Sequence, residues 1–194
     1  MARKRTLSIP SGQEQEIISR LSKLMIELPS WGFANTGTRF GKFHQDAAAV
    51  DLEDKISDAG MVHKCTGAAP TVAVHVLWDF PNGFDPDVVK LAKKHGVAIG
   101  AINPNLFQDQ CYKYGSLTNR DASIRRRAVK HMVDSVEIGR ATKSRYLSLW
   151  FADGANYPGQ ADIRQRKRWA TAALKKVHEA MPRTMTMLVE YKPF

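Results

Sequence analysis

The chain has 194 residues, of which 43% are hydrophobic and 25% charged, and its formal net charge is +10. This composition is typical of a globular domain with a buried core. No segment approaches the roughly 18 to 20 consecutive apolar residues that a membrane-spanning helix needs, and the basic start lacks the apolar stretch of a secretory signal. Two cysteines, Cys65 and Cys111, are too few for a disulfide framework. We therefore expect a cytoplasmic protein without a membrane partner.

The excess of basic residues is the compositional outlier, and three explanations for it stay open. It fits a module that binds nucleic acid or another acidic partner, although no RNA-binding aromatic motif or zinc-finger spacing supports this. It also fits solvated helix faces, because two of the basic clusters lie in stretches with helical spacing. Finally, a basic excess is expected if an acidic C-terminal half is missing.

The first 70 residues predict helices around an aromatic loop. Apolar residues recur at helical spacing from Gln13 to about Glu27, and Pro29 ends this amphipathic pattern. The following loop keeps Trp31, Phe33, Phe40 and Phe43. A short helix is predicted from Val50 to Ala59, with Asp51 or a neighbour near its start and Gly60 as its C-terminal stop.

From Thr71 onward, short apolar strands alternate with longer helical stretches. The predicted strands are TVAVHVLWD, VAIGAIN, YLSLWFADG and TMTMLVEYKPF, and the predicted helices span Phe84 to His95, about Ala122 to Thr142 and about Ile163 to Ala180. Asp121 or Asn119 could cap the second of these helices. Repeated strand, loop and helix indicate a parallel α/β fold, either doubly wound or a barrel.

The positions of polar residues favour the barrel. Several lie at or just past the C-terminal ends of the predicted strands: Asp79, Asn103, Asn105, Asp153, Glu190 and Lys192. Catalytic residues of (β/α)₈ barrels come from this rim, whereas neither GxGxxG nor GxxxxGK[ST] supports a nucleotide-binding open sheet. We predict an α/β fold of the (β/α)₈ TIM-barrel type, with an N-terminal helical extension over 1–70 and the first half of the barrel over 71–194.

The chain stops at Phe194, after the predicted fourth parallel strand. Because a barrel needs about eight strands, we expect a barrel truncated after about four strands, and an inactive fragment. The alternative is a natural half-barrel that associates with a second copy.

Taken singly, the candidate residues allow structural as well as functional roles. His75 in an apolar strand fits a core histidine, and Trp150 fits a core filler. Glu190 is costly to bury unless it is paired or metal-bound, and Lys192 points to the same face of the strand. A Glu190–Lys192 ion pair and a metal ligand therefore both remain open.

Taken together, four segments carry a resemblance to a known family. They are HVLWDFP around His75, AINPNLFQ after the second predicted strand, SLWFADGANYPGQ around Trp150, and LVEYKPF at the terminus. These segments resemble L-rhamnose isomerases, which are related to xylose isomerase. The resemblance runs from the PSWGFANTGTRFGKF loop to the last residue.

The resemblance implies interconversion of an aldose and its ketose by a metal-mediated hydride shift, with two divalent ions, commonly Mn²⁺. Glu190 corresponds to a metal-binding carboxylate, but the other ligands of the family lie on strands that are absent here. Lys192 corresponds to a lysine that contacts the substrate, and His75 to a histidine that assists opening of the sugar ring.

The remaining site residues implied by the resemblance are aromatic. Trp31 and Trp150 match walls of the sugar pocket, and Phe107 matches another wall less closely. Phe40 resembles a loop residue that reaches into a neighbouring subunit's pocket in the tetramers of the family, or it packs on its own barrel.

Overall fold

The computed structural model describes residues 11–35, 37–38, 41–154 and 161–191. They contain a five-stranded parallel sheet. In their order across the sheet, its strands are β1 (Glu27–Pro29), β4 (Thr71–Val76), β5 (Ala98–Pro104), β6 (Tyr146–Phe151) and β7 (Thr186–Tyr191). Two two-residue strands, β2 (Gly37–Thr38) and β3 (Gly41–Lys42), form a separate antiparallel pair.

The strand order confirms the barrel-type prediction. Each new strand of the sheet pairs with the one before it along the chain, so the sheet grows from β1 to β7 in a single direction. A doubly wound sheet would reverse direction at a switch point, whereas a (β/α)₈ barrel does not. The described part of the chain is therefore an α/β sheet with barrel topology.

The sheet has five parallel strands where about four were predicted: the four predicted strands are β4 to β7, and β1 is an additional one. The helix predicted to reach Glu27 ends at Leu21, and Glu27–Pro29 form β1 instead. This strand pairs in parallel with β4, Leu28 opposite Val72, and the Ile26 amide donates to the Ala68 carbonyl at 2.7 Å. Pairing with a neighbour distant in sequence overrides the local helical spacing. Whether residues 1–70 form a separate unit stays a prediction.

Two helices have the predicted bounds. They are α4, Ala122–Thr142, and α5, Ile163–Ala180. The Asp121 carboxylate caps α4 by accepting from the Ser123 amide, and Asp162 caps α5 in the same manner. Because the cap and the apolar periodicity agree at both starts, local sequence is sufficient to place these helices.

The predicted bounds of α2 and α3 were wrong. Helix α2 spans Leu52–Thr66 with Asp51 as its N-cap, and it ends at Gly67, whose φ is +68°. Gly60 lies inside this helix, where a Cβ would come within 2.4 Å of the His95 carbonyl oxygen, so close packing explains the glycine. Helix α3 is shortened to Val88–Lys94, since the residue before Pro86 is disfavoured in helical conformation.

The hydrophobic core lies between the sheet and the helices. Its fully buried side chains include Val72, Val74, Ile102, Leu147 and Leu149 from the strands. Met132 and Val136 of α4, Val177 of α5 and Ile56 of α2 pack against them. Alternation along β4 places Ala73 and His75 on the opposite face, which is the inner face of the barrel. In the described residues, no helix is long and apolar enough to cross a membrane.

Candidate functional site

A pocket lies at the C-terminal ends of the five parallel strands. It encloses about 270 Å³, close to the lower end of small-molecule sites, which span roughly 300 to 1,000 Å³. Its lining consists of Trp31, His75, Trp78, Asn103, Pro104, Phe107, Ser148, Trp150 and Glu190. Each strand, or the turn directly after it, contributes at least one of these side chains. Sheet register places His75 beside Asn103 and Trp150 beside Glu190.

The pocket wall is an aromatic cluster around His75. The imidazole stacks on the Trp78 ring, with centroids 3.6 Å apart and planes inclined by 14°. Trp31 and Phe107 contact the imidazole edge to face at 5.7 and 6.0 Å. Phe107 also meets Trp150 edge to face at 4.6 Å. Flat apolar ring faces beside a polar imidazole suit a ligand that has both C–H surfaces and hydroxyl groups.

His75 is neutral in this setting. The residue is 5% exposed, and burial lowers the pKa of its imidazole to about 4 against the opposing influence of Asp79. Its Nδ1 atom is buried and has no hydrogen-bond partner within the described ranges. A neutral imidazole has one nitrogen that donates and one that accepts a hydrogen bond. The accepting nitrogen can take up a proton from a ligand at neutral pH.

Trp78 is a pocket residue that the sequence analysis missed. It follows His75 by three residues within the HVLWDFP segment that carries the family resemblance. That segment therefore pointed to the site, although only its histidine was predicted as a site residue. Its indole Nε1 donates to the Gln108 Oε1 at 2.6 Å, and the same oxygen accepts from Asn105 Nδ2 at 2.9 Å. The loop after β5 thereby fixes the plane of the ring that stacks on His75. Ser148 was missed as well, because a serine in an apolar strand carries no distinctive signal.

Two acidic residues predicted at the rim are engaged within the protein instead. Asp153, after β6, accepts from the backbone N–H and hydroxyl of both Ser116 and Thr118 at 2.6 to 2.9 Å. Asp79, after β4, is buried and pairs with Lys55 at 2.7 Å. Both carboxylates hold loops at the rim, and neither is free to bind a ligand. Asn105 is also buried, at 2% exposure.

Glu190 lies in the pocket but is exposed, so the argument from its burial was wrong. Strand β7 is an edge strand, and its neighbours Leu188 and Val189 are 43% and 50% exposed. Across the described ranges, no group of three or more His, Cys, Asp or Glu residues could hold a metal ion. Hard divalent ions take about six ligands, mostly oxygen. The described residues therefore do not form a metal site by themselves. Within the pocket they supply one carboxylate, that of Glu190.

Two predicted site residues lie outside the described residues. They are Lys192, near the end of the chain, and Phe40, which precedes β3 in the sequence. The structure brings the other predicted site residues together in one pocket: Trp31, His75, Phe107, Trp150 and Glu190. Their individual roles stay predictions.

Comparison with known proteins finds relatives that are named as probable sugar isomerases. No protein-family profile matches the chain. The chain is 35% identical over 184 residues to a protein of Mesorhizobium japonicum named a probable sugar isomerase, covering 92% of this chain and 42% of that protein. A probable sugar isomerase of Rhizobium meliloti is 33% identical over 177 residues, covering 87% of this chain and 40% of that protein. The chain thus spans about two fifths of the length of these relatives.

Solved structures give the fold. An L-ribulose 3-epimerase superposes with a TM-score of 0.57 at 17% identity, covering 84% of this chain and 48% of the epimerase. The IOLI protein with a bound zinc atom superposes with a TM-score of 0.55 at 10% identity, covering 87% of this chain and 51% of that protein. The described residues therefore have the fold of about half of each of these two structures. At this identity the likeness concerns the fold, and it leaves the substrate open.

Proposed function

We propose that this chain forms the sugar-binding half of a metal-dependent aldose–ketose isomerase. The observation that carries the proposal is the aromatic pocket around a neutral His75 at the C-terminal rim of the sheet. Barrel enzymes place their active sites at this rim. The similarity to two proteins named as sugar isomerases supports the same conclusion.

In the proposed site, the aromatic rings hold the carbon face of the sugar and the polar groups hold its hydroxyls. Trp31, Phe107 and Trp150 form the apolar walls, and Asn103, Ser148 and Glu190 add polar groups between them. In ring opening, the neutral imidazole of His75 accepts the proton of the anomeric hydroxyl and returns it to the ring oxygen as the ring C–O bond breaks. The proposed substrate is L-rhamnose, converted to L-rhamnulose.

The proposal assigns two divalent ions, Mn²⁺ in the first instance, to the whole protein rather than to this chain. In the whole protein, a bound divalent ion would supply Lewis-acid polarisation of the sugar oxygens. Glu190 is the described residue that we propose as a ligand. Lys192 is proposed to contact the sugar, and Phe40 to reach a neighbouring subunit in a homotetramer.

Sugar binding tests the proposal directly. We expect L-rhamnose to show saturation-transfer NMR signals with the chain, and Trp150→Ala to abolish them. The matched control is Trp169→Phe, because Trp169 lies outside the pocket and packs against the Arg125 guanidinium at 4.1 Å. Equal signals for the parent and Trp150→Ala, or none for any aldose in a panel, would contradict the proposed function.

The net charge of +10 motivates a second candidate, a module that binds nucleic acid. Several cations of the basic clusters are already engaged: Arg127 pairs with Asp109, Arg125 donates to the Asn119 carbonyl, and Arg166 donates to Thr118. These contacts count against the second candidate, because the three cations already have partners within the chain. Retention on a DNA column that falls steeply with salt would favour the second candidate.

A self-associating half-barrel is the third candidate, and it is motivated by the exposed β7. It predicts a stable dimer that binds stoichiometric Mn²⁺. Size-exclusion chromatography combined with calorimetric Mn²⁺ titration tests it. We expect weak Mn²⁺ binding by the chain alone, because one carboxylate cannot replace about six ligands.

A further inference from the structure

A buried ion pair lies directly behind the pocket. Lys55 Nζ of α2 is 2.7 Å from Asp79 Oδ1, and the two side chains are 8% and 0% exposed. Burying two charges carries a desolvation cost that their attraction often fails to recover, so well-packed apolar residues are frequently at least as stable in such places. Stability by itself is therefore a weak reason for this pair to exist.

The second carboxylate oxygen of Asp79 holds His75. Asp79 Oδ2 accepts from the His75 backbone N–H at 2.6 Å, and the Asp79 N–H donates back to the His75 carbonyl at 3.0 Å. These reciprocal bonds close a tight turn over residues 76–78. Leu77 in this turn has φ of +100°, which a residue with a side chain rarely adopts and which costs roughly 1 to 3 kcal/mol. The Asp79 carboxylate thus maintains a strained turn that presents both His75 and Trp78 to the pocket.

The same oxygen also binds the turn that follows β1. Ser30 Oγ, fully buried, donates to Asp79 Oδ2 at 2.5 Å. Ser30 begins the short 3₁₀ turn that carries Trp31, whose ring packs on His75. One carboxylate therefore ties together the backbones that carry three rings of the pocket, and its orientation decides where those rings lie.

We propose that Lys55 is a positioning residue for His75, acting through Asp79. Its ammonium binds Oδ1 and thereby directs Oδ2 toward the His75 amide and the Ser30 hydroxyl. The effect of this arrangement on sugar binding rests on the proposed function, whereas its effect on the His75 ring does not.

The charges around His75 support this role. Asp79 raises the pKa of the imidazole, while burial, His131 and Lys55 lower it. Lys55 thus offsets the effect of the Asp79 carboxylate on the imidazole and helps to keep the imidazole neutral. Removing the ammonium would leave a negative charge beside His75 and would also loosen the turn, and both changes raise its pKa.

The test compares Lys55→Met with the parent by NMR of the His75 ring protons, assigned with His75→Gln. Stacking on Trp78 shifts these signals through the ring current, so they report the position of the imidazole. We expect them to move toward unstacked values in Lys55→Met, and the pKa of His75 to rise from about 4 toward 6.5. The matched control is Lys94→Met. Lys94 ends α3 and makes an exposed ion pair with Glu53 of α2, the helix that also carries Lys55, so its replacement should change neither readout.

A second variant keeps the test decisive if Lys55→Met does not fold. The double variant Lys55→Met/Asp79→Asn leaves no buried unpaired charge, and the amide oxygen introduced at position 79 can still accept from Ser30 and His75. Without Lys55 to orient that amide, we expect displaced His75 ring signals here as well. A folded variant of either kind with His75 signals like those of the parent would overturn the proposal.

Sugar affinity measured on the same samples separates the two proposals. If the parent binds no sugar but Lys55→Met displaces the His75 signals, the proposed function fails and the positioning role stands. If the parent binds sugar and the His75 signals are unchanged in Lys55→Met, the reverse holds.

Discussion

The β4 side and the β7 side of the site differ in how far their side chains are buried and bonded within the chain. At the end of β4, the Asp79 carboxylate is fully buried and accepts from Lys55, Ser30 and the His75 amide. At β7, Glu190 is exposed and the adjacent Val189 is 50% exposed. The aromatic rings and His75 are therefore held in place by other groups of this chain, whereas the Glu190 and Val189 side chains at β7 are exposed.

The largest expected effect is on the β4 side. Asp79→Ala should lower the free energy of unfolding by about 3 to 5 kcal/mol, because it leaves Lys55 as a buried unpaired charge and releases the strained turn. Glu190→Gln, on the β7 side, should change it by less than about 0.5 kcal/mol. Urea unfolding at pH 7 measures both, and similar losses would remove the distinction between the two sides.

The next effect is a pH dependence that arises from His75. The unfolded chain protonates this histidine near pH 6.5, whereas the folded chain keeps it neutral down to about pH 4. Between these values the unfolded state binds more protons, so stability falls as the pH falls, by at most about 3 kcal/mol. Urea unfolding from pH 7 to about pH 4.5 should show this slope in the parent and a shallower one in His75→Gln. Equal slopes would show that burial does not hold the imidazole neutral.

A smaller effect is expected from the hydrogen bond between the Trp78 indole and Gln108. Gln108→Leu removes the acceptor of the indole N–H and should cost about 0.5 to 1 kcal/mol, since Trp78 is 40% exposed and water can replace part of the bond. The indole Nε1–H signal should shift and exchange faster with solvent. Gln110→Leu is the control, because that glutamine is exposed two residues further along. An unchanged indole signal would show that stacking on His75 suffices to hold the ring.

The smallest change in stability is expected at the edge of the sheet. Val189→Lys should leave the free energy of unfolding within about 0.5 kcal/mol, since this side chain is half exposed. A charge on an edge strand opposes pairing with another sheet, so self-association should decrease. Sedimentation velocity of the parent and the variant at matched concentrations tests this. Increased association of the variant would contradict it.

Local sequence was sufficient where two signals coincided. The α4 and α5 helices were placed correctly, and in the structure an aspartate caps the start of each. It failed for β1, which begins at Glu27 where the helix-like pattern ends. It also failed for Gly60, whose missing side chain is explained by close packing against His95 and not by a helix end. Strand-end polarity located the rim, but it did not separate Glu190 and Asn103 in the pocket from Asp79 and Asp153 in the loops.

Apolar periodicity and the polar residues at strand ends are local properties of the chain, and they were enough to predict the alternation of strands and helices and the barrel class. The five side chains of the pocket were predicted from the resemblance to a known family. Folding was needed to establish the pairing of β1, the stacking of Trp78 on His75 and the burial of Lys55 against Asp79. Each of these depends on contacts between residues distant in sequence or on the exact course of a turn. Whether a polar side chain faces a ligand or a neighbouring loop is settled when the chain folds and those partners meet.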